Sequence, residues 1–150
     1  MTSSWGSRAS GLFSFSTLLR LICAGSLIID ARIHLKLAPA YDAIKSSALS
    51  QGELFRIEAG LAIVAALLIL VVHKSATALI AAAVAGGGLV ALLAYRYFDL
   101  GSFGPLPPMY EPVWYSDKTT TCIAQGIATV AALGLLLPPI RLLRRTESST

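Results

Sequence analysis

Charge is what this chain has least of. Of its 150 residues only 13% are Asp, Glu, Lys or Arg while 55% are hydrophobic, against about 25% charged in a soluble domain. Mean hydropathy is +0.71. That deficit excludes a soluble globular domain, a disordered chain and a collagen-like repeat, and it predicts an integral membrane protein. Cysteine is equally scarce: there are two, too few for a disulfide scaffold, and they form no Cys-x-x-Cys. The net charge is +4, yet no Lys/Arg run interleaved with aromatics supports a nucleic-acid partner. Phosphate loops, metal-ligand spacings and nucleophile–base pairs are missing too. No catalytic residue is assigned, and no hydrolase or transferase activity is expected.

What is present is apolar length. Four windows, about 12–37, 54–72, 76–95 and 119–137, each reach the roughly 20 helical residues that a bilayer core requires. The first is interrupted by Arg20, Asp30, Arg32, His34 and Lys36. Helix punctuation agrees with four elements. Ser50-Gln51-Gly52-Glu53 reads as a capping box, and Ser116 or Asp117 is placed to cap the fourth helix. Pro39 ends the first helix and Pro138-Pro139 the fourth. Only His73-Lys74-Ser75 joins windows two and three, so those helices must run antiparallel. The expected fold is an all-α, transmembrane, up-and-down four-helix bundle with two longer extracytoplasmic loops and flexible ends at 1–11 and 140–150. A cleaved leader is not expected, because the apolar stretch resumes after Arg20 and runs to Ile29.

Orientation follows the Lys/Arg distribution. The end segments and the 73–75 link carry Arg8, Lys74, Arg141, Arg144 and Arg145, whereas the two longer loops carry Lys45, Arg96 and Lys118. The positive-inside rule then puts both termini in the cytoplasm of a plasma-membrane protein. The tail arginines suit anionic headgroups.

The stretches Ile33-His34-Leu35-Lys36-Leu37, Gly52-Glu53-Leu54-Phe55 and Asp99-Leu100-Gly101-Ser102-Phe103-Gly104-Pro105-Leu106-Pro107 resemble a group of small actinobacterial membrane proteins. The bundle as a whole is broadly similar to the DoxX-like four-helix membrane proteins. The resemblance spans about residues 18–137 and implies a four-helix fold in the plasma membrane. It transfers no catalytic residue.

Ionisable groups inside a bilayer cost about 2.5–3.5 kcal/mol each on insertion scales, so each asks for a partner or a purpose. Asp30 lies nine residues before Pro39, Glu58 eight after Ser50, and Gln125 eight after Asp117. At 1.5 Å per residue all three sit about 12–14 Å from their helix ends, in one layer. His34 follows Asp30 by four on the same face, and Arg96 ends the third window. One reading is a ligand pocket built from Asp30, His34, Glu58, Arg96 and Gln125, open outward, for a small molecule, an ion or a quinone head. The other is packing: Asp30 with His34, and Glu58 with Arg96 or Gln125. A metal set of Asp30, His34 and Glu58 lacks a second histidine, so no metal ligand is assigned. No cofactor is predicted; a quinone or a metal ion is the cofactor that such a pocket would suit.

Arg20 is expected to snorkel toward the headgroups, and Cys23 and Cys122 to remain separate buried thiols. Ala82-Gly86, Ala83-Gly87 and Ala124-Ala128 are small-xxx-small pairs suited to packing inside the bundle or to a homodimer face. The segment 96–118 holds Tyr97, Phe98, Phe103, Tyr110, Trp114 and Tyr115 among four prolines. It reads as an aromatic belt seated on the membrane, or as a lid or docking surface formed by Tyr97, Phe103, Tyr110, Trp114 and Tyr115. Loop 38–53 is expected to add a short interfacial helix. The function expected is that of an accessory subunit or an outer-leaflet binder of a small ligand, with the lipid bilayer, a larger membrane complex or a second copy as partner. A DoxX-like redox or quinone-linked component is the alternative.

The topology is testable in a background lacking Cys23 and Cys122. Ser47→Cys and Ser102→Cys should react with an impermeant thiol reagent on intact cells, and Ser148→Cys should not. The opposite pattern would invert the orientation.

Overall fold

The computed structural model describes residues 6–137, with side chains from residue 15 onward. Residues 1–5 and 138–150, with Pro138, Pro139, Arg141, Arg144 and Arg145, lie outside the described residues, as does the side chain of Arg8. Four long helices follow in order: α1 Gly6–Leu37, α2 Gln51–Val71, α3 Ser75–Tyr97 and α4 Ser116–Leu136, with a 3-10 turn Ala38–Tyr41 after α1. Three of them, α2, α3 and α4, are long and apolar enough to cross a membrane.

The helix ends follow their sequence signals with one exception. At the start of α2 the Ser50 hydroxyl accepts from the Glu53 amide at 3.0 Å, and Glu53 accepts from the Ser50 amide at 2.7 Å, a complete capping box. Pro39 sits in the first turn of the 3-10 segment, where its missing N–H is harmless. This segment is the short helix expected in loop 38–53. At α4 the N-cap is Tyr115 and makes no side-chain cap. Asp117 instead accepts from Lys36 Nζ at 2.9 Å, tying the end of α1 to the start of α4.

Contacts along the helices fix their directions. Arg20 Nη1 of α1 donates to the Ile69 carbonyl of α2 at 2.8 Å, while His34 lies edge-on to Phe55, so α1 and α2 are antiparallel. Arg20 thus caps the C-terminal end of α2, and its cation meets the negative end of that helix. Cys23 Sγ reaches the Ala128 carbonyl at 3.5 Å, and Gly86 lies against Thr129, so α4 runs antiparallel to both α1 and α3. Each helix therefore has two neighbours, in the cyclic order α1, α2, α3, α4. Cys23 and Cys122 are both free thiols.

The burial pattern is inverted relative to a soluble domain. The interior is mostly alanine: Ala59, Ala62, Ala65 and Ala66 from α2, Ala78, Ala81 and Ala85 from α3, and Ala124, Ala128, Ala131 and Ala132 from α4. The large side chains point out, among them Leu21 and Ile29 of α1, Leu61 and Leu67 of α2, Val90 of α3 and Val130 of α4. In lipid there is no hydrophobic gain from hiding leucine. Small interior residues let backbones approach and gain dispersion instead. Ala82-Gly86 follows this logic on the α4-facing side, whereas Ala83 and Gly87 are exposed.

The 3-10 turn is held against α2 by two devices. Arg56 donates to both Asp42 oxygens, at 2.7 and 2.8 Å, and this fork holds the Asp42 carboxyl below the usual carboxylate range. Beneath it, a Cβ at Gly52 would clash with the Ala38 carbonyl and the Asp42 carboxylate. Gly52→Ala should therefore lose about 1–3 kcal/mol of stability through overpacking, read as a lower thermal midpoint in detergent. Gly60→Ala, where a Cβ meets nothing within 4 Å, should match the wild type. Equal behaviour of the two variants would contradict the packing.

Candidate functional site

At the end of the molecule opposite the α2–α3 hairpin, the alanine core gives way to polar residues. Asp30 is 1% exposed. Its partner is one turn on: His34 Nδ1 lies 3.1 Å from both the Asp30 carbonyl and its Oδ1. If Nδ1 carries the proton toward Asp30, Nε2 of the neutral ring is left as an acceptor. The His34 ring meets Phe55 edge-on, at 5.2 Å between centroids, and the Tyr41 ring lies tilted against Phe55 at 5.1 Å.

Glu58 and Gln125 meet over a glycine. A Cβ at Gly88 would stand 2.7 Å from Glu58 Oε1 and would clash with Gln125 Nε2. A carboxylate from α2 and an amide from α4 therefore converge on the same few ångströms of α3 backbone. Only glycine leaves that space. The charges of Asp30, His34 and Glu58 also act on one another, so α1 and α2 contribute to one electrostatic unit. Among the described residues no three His, Cys, Asp or Glu side chains converge as metal ligands.

Beside this group is a cavity of about 310 Å³. Its floor and walls are His34 and Leu37 from α1, Gln51, Leu54, Phe55, Ile57 and Glu58 from α2, and Gly88, Ala91, Leu92 and Tyr95 from α3. Leu106, Met109, Glu111 and Tyr115 of the loop close it, with Lys118 and Thr121 of α4. Asp30 and Gln125 stand behind this lining rather than in it. Arg96 is placed elsewhere. Its guanidinium lies 5.1 Å from the Tyr97 ring and 5.5 Å from the Trp114 ring, a cation–π sandwich that keeps it off Glu58. Of the aromatic positions singled out in the loop, Tyr115 lines the cavity. Tyr97, Phe103, Tyr110 and Trp114 are turned outward.

The loop is fastened by a cluster that no local pattern announces. Tyr41 donates to the Glu111 carboxylate at 3.0 Å, Tyr41 and Tyr115 share a hydroxyl–hydroxyl hydrogen bond of 3.2 Å, and Lys118 donates to the Glu111 carbonyl. Ser46 adds a 2.6 Å hydrogen bond to the Pro105 carbonyl. Gly104, at φ 57°, makes the tight turn that pairs Phe103 with Leu106. Glu111 was the available signal: it is the single acidic residue between Asp99 and Asp117. Its partner Tyr41 is 70 residues away.

Spare hydrogen-bonding capacity differs between the cavity lining and the rest of the interior. Gln51 Oε1, Glu58 Oε1, Gln125 Oε1 and Asp30 Oδ2 are buried without a hydrogen-bond partner among the described residues, as are two donors, Arg20 Nε and Arg96 Nε. The two atoms of this set that belong to cavity-lining residues, Gln51 Oε1 and Glu58 Oε1, are acceptors. Tyr115 and Lys118 of the lining are engaged with Glu111, and His34 with Asp30. A buried acceptor left unmet costs about 1–3 kcal/mol, so a donor brought to Gln51 Oε1 and Glu58 Oε1 would be favoured.

Burial, followed by the neighbouring hydroxyl and Glu111, pushes the Tyr115 phenol well above its ordinary value, and burial likewise raises Tyr41. The neutral phenol is the folded form, so this contribution is complete below about pH 10, the ordinary phenol value. It is lost as pH rises through the higher folded values. Thermal stability should thus be flat from neutral pH to about 10 and fall above it. The double variant Tyr41→Phe/Tyr115→Phe should be less stable at neutral pH and fall less steeply in alkali. Identical alkaline slopes would contradict the clamp.

No protein-family model matches this chain, and neither a curated protein nor a solved structure is significantly similar to it.

Proposed function

We propose that this is a four-span plasma-membrane protein, with both termini cytoplasmic, that binds a small molecule in the cavity at its loop end. The observation that carries the reading is the pairing of about 310 Å³ of mostly apolar-walled space with buried acceptor oxygens that no protein donor meets. Ligand pockets have this character: a few hundred cubic ångströms, apolar walls and a small number of placed polar groups. Four packing contacts alone would not need a space of this size beside them, nor a loop fastened at its rim by Tyr41, Glu111, Tyr115 and Lys118.

Membrane insertion of α1 is supported by its neighbours. It packs antiparallel on α2 and α4 over the same depth, from Arg20 at Ile69 to His34 at Phe55. Its outward side is Phe15, Leu18, Leu21, Ile22, Ile28 and Ile29, while Arg20 and Asp30 face inward. Arginine and aspartate turned into the bundle are tolerated by lipid in a way that outward ones are not. The positive-inside rule supports the orientation.

The test is occupancy after extraction into native nanodiscs without detergent. Wild-type protein should carry about one equivalent of a small molecule, as a defined site does, measured by mass spectrometry of the extract. Leu92→Trp, which fills the cavity from α3, should lose most of it. Equal content in the two proteins would count against a ligand site.

A further inference from the structure

The cavity is lined at its loop end by Leu106, Met109, Glu111 and Tyr115, and it is thinly walled toward the side. Beyond Ala85 no residue of α3 is buried, although its hairpin-end half buries Thr77, Ala78, Ala81 and Ala85. The α2–α3 seam is also the most sparsely packed of the four helix pairs. Two residues that line the cavity, Ile57 of α2 and Ala91 of α3, are themselves exposed on the flank of the bundle. A chain leaving the cavity between them would enter the acyl region without crossing a polar layer. The opposite exit is fastened by Tyr41, Glu111, Tyr115 and Lys118.

The polar end of the cavity selects the head that such a chain would carry. Its unmet atoms are oxygens, Gln51 Oε1 and Glu58 Oε1, and the Gln51 residue is only 5% exposed. Behind them Asp30 adds a further buried acceptor in Oδ2, its Oδ1 lying 3.1 Å from His34 Nδ1. A head that carries acceptors alone would leave the two buried oxygens of Gln51 and Glu58 unmet. An ammonium with N–H groups supplies donors and charge together, and charge-assisted hydrogen bonds are about twice as strong as neutral ones.

Building on the reading of this cavity as a ligand site, the geometry points to a membrane-borne amphiphile with an N–H-bearing ammonium head, a primary amine on an apolar body, that enters sideways between α2 and α3. Its head lies against Glu58 and Gln51 and its body runs past Leu54, Ile57 and Ala91 toward lipid. A free long-chain amine and an aminophospholipid headgroup share this chemistry.

The experiment uses the full chain in phosphatidylcholine nanodiscs and a photoactivatable diazirine analogue of dodecylamine. Cross-links should be saturable and map to residues 51–58 and 88–95. Dodecylammonium should compete about tenfold or more better than dodecanol or dodecyltrimethylammonium, as expected for a charge-assisted N–H hydrogen bond. Glu58→Gln should remove that preference. Competition by phosphatidylethanolamine in the disc identifies the aminolipid as the source, and its failure to compete identifies a free amine. Ile57→Trp and Ala91→Trp should slow labelling, whereas Val130→Trp on the exposed side of α4 should not. Equal competition by all three dodecyl compounds would overturn the ammonium head while leaving a ligand site. Unchanged labelling rates in both tryptophan variants would overturn the sideways entry. Absence of saturable labelling by the probe, together with equal small-molecule content of wild type and Leu92→Trp, would remove the site itself.

Discussion

The structure depends on one mismatch between neighbouring helices: alanine packs their hairpin-end halves, and polar side chains separate their loop-end halves. Where Ala62, Ala66, Ala81, Ala85, Ala128 and Ala132 fill the centre, backbones approach closely and dispersion holds them in a solvent that offers no hydrophobic gain. Where Asp30, His34, Glu58 and Gln125 fill it, the helices cannot close in the same way. The loop-end turns of α3 are left without a buried residue, and space opens beside Glu58.

The loop then follows from the opening. Tyr41, Glu111, Tyr115 and Lys118 bring the 3-10 turn, the loop and the first turn of α4 together over it. Prolines around this cluster reduce the entropy lost in ordering the loop. Gly52 is a place where the arrangement tolerates no Cβ, because the Ala38 carbonyl of the 3-10 turn lies down on it, and a Cβ at Gly88 would push the ends of the Glu58 and Gln125 side chains aside.

Depth was legible in the sequence and rotation was not. Counting residues from Pro39, Ser50 and Asp117 works because the helical rise is fixed, and Glu58 and Gln125 do meet at one level over Gly88. The capping box was equally plain, because both of its partners lie within four residues. Arg96 shows where counting stops. Its position at the end of α3 is local information, but its capture between Tyr97 and Trp114 depends on how the loop folds back. Asp117 likewise has the makings of a cap, and Lys36, 81 residues earlier, takes it instead. The cavity lining escaped for the same reason. Gln51, Tyr95, Met109 and Lys118 have no shared pattern, and only the packing of three helices under a loop assembles them.

The central claim is that Glu58 turns inward to share one polar site with Gln125. The most direct measurement is the magnetic dipolar coupling between the Glu58 carboxyl carbon and the Gln125 side-chain nitrogen, by solid-state NMR of the labelled protein in bilayers. The account predicts a clear short-range coupling, reduced when Gly88→Leu drives the two side chains apart. A fully labelled sample with no coupling, and a Glu58 carboxyl in contact with acyl-chain protons, would contradict it.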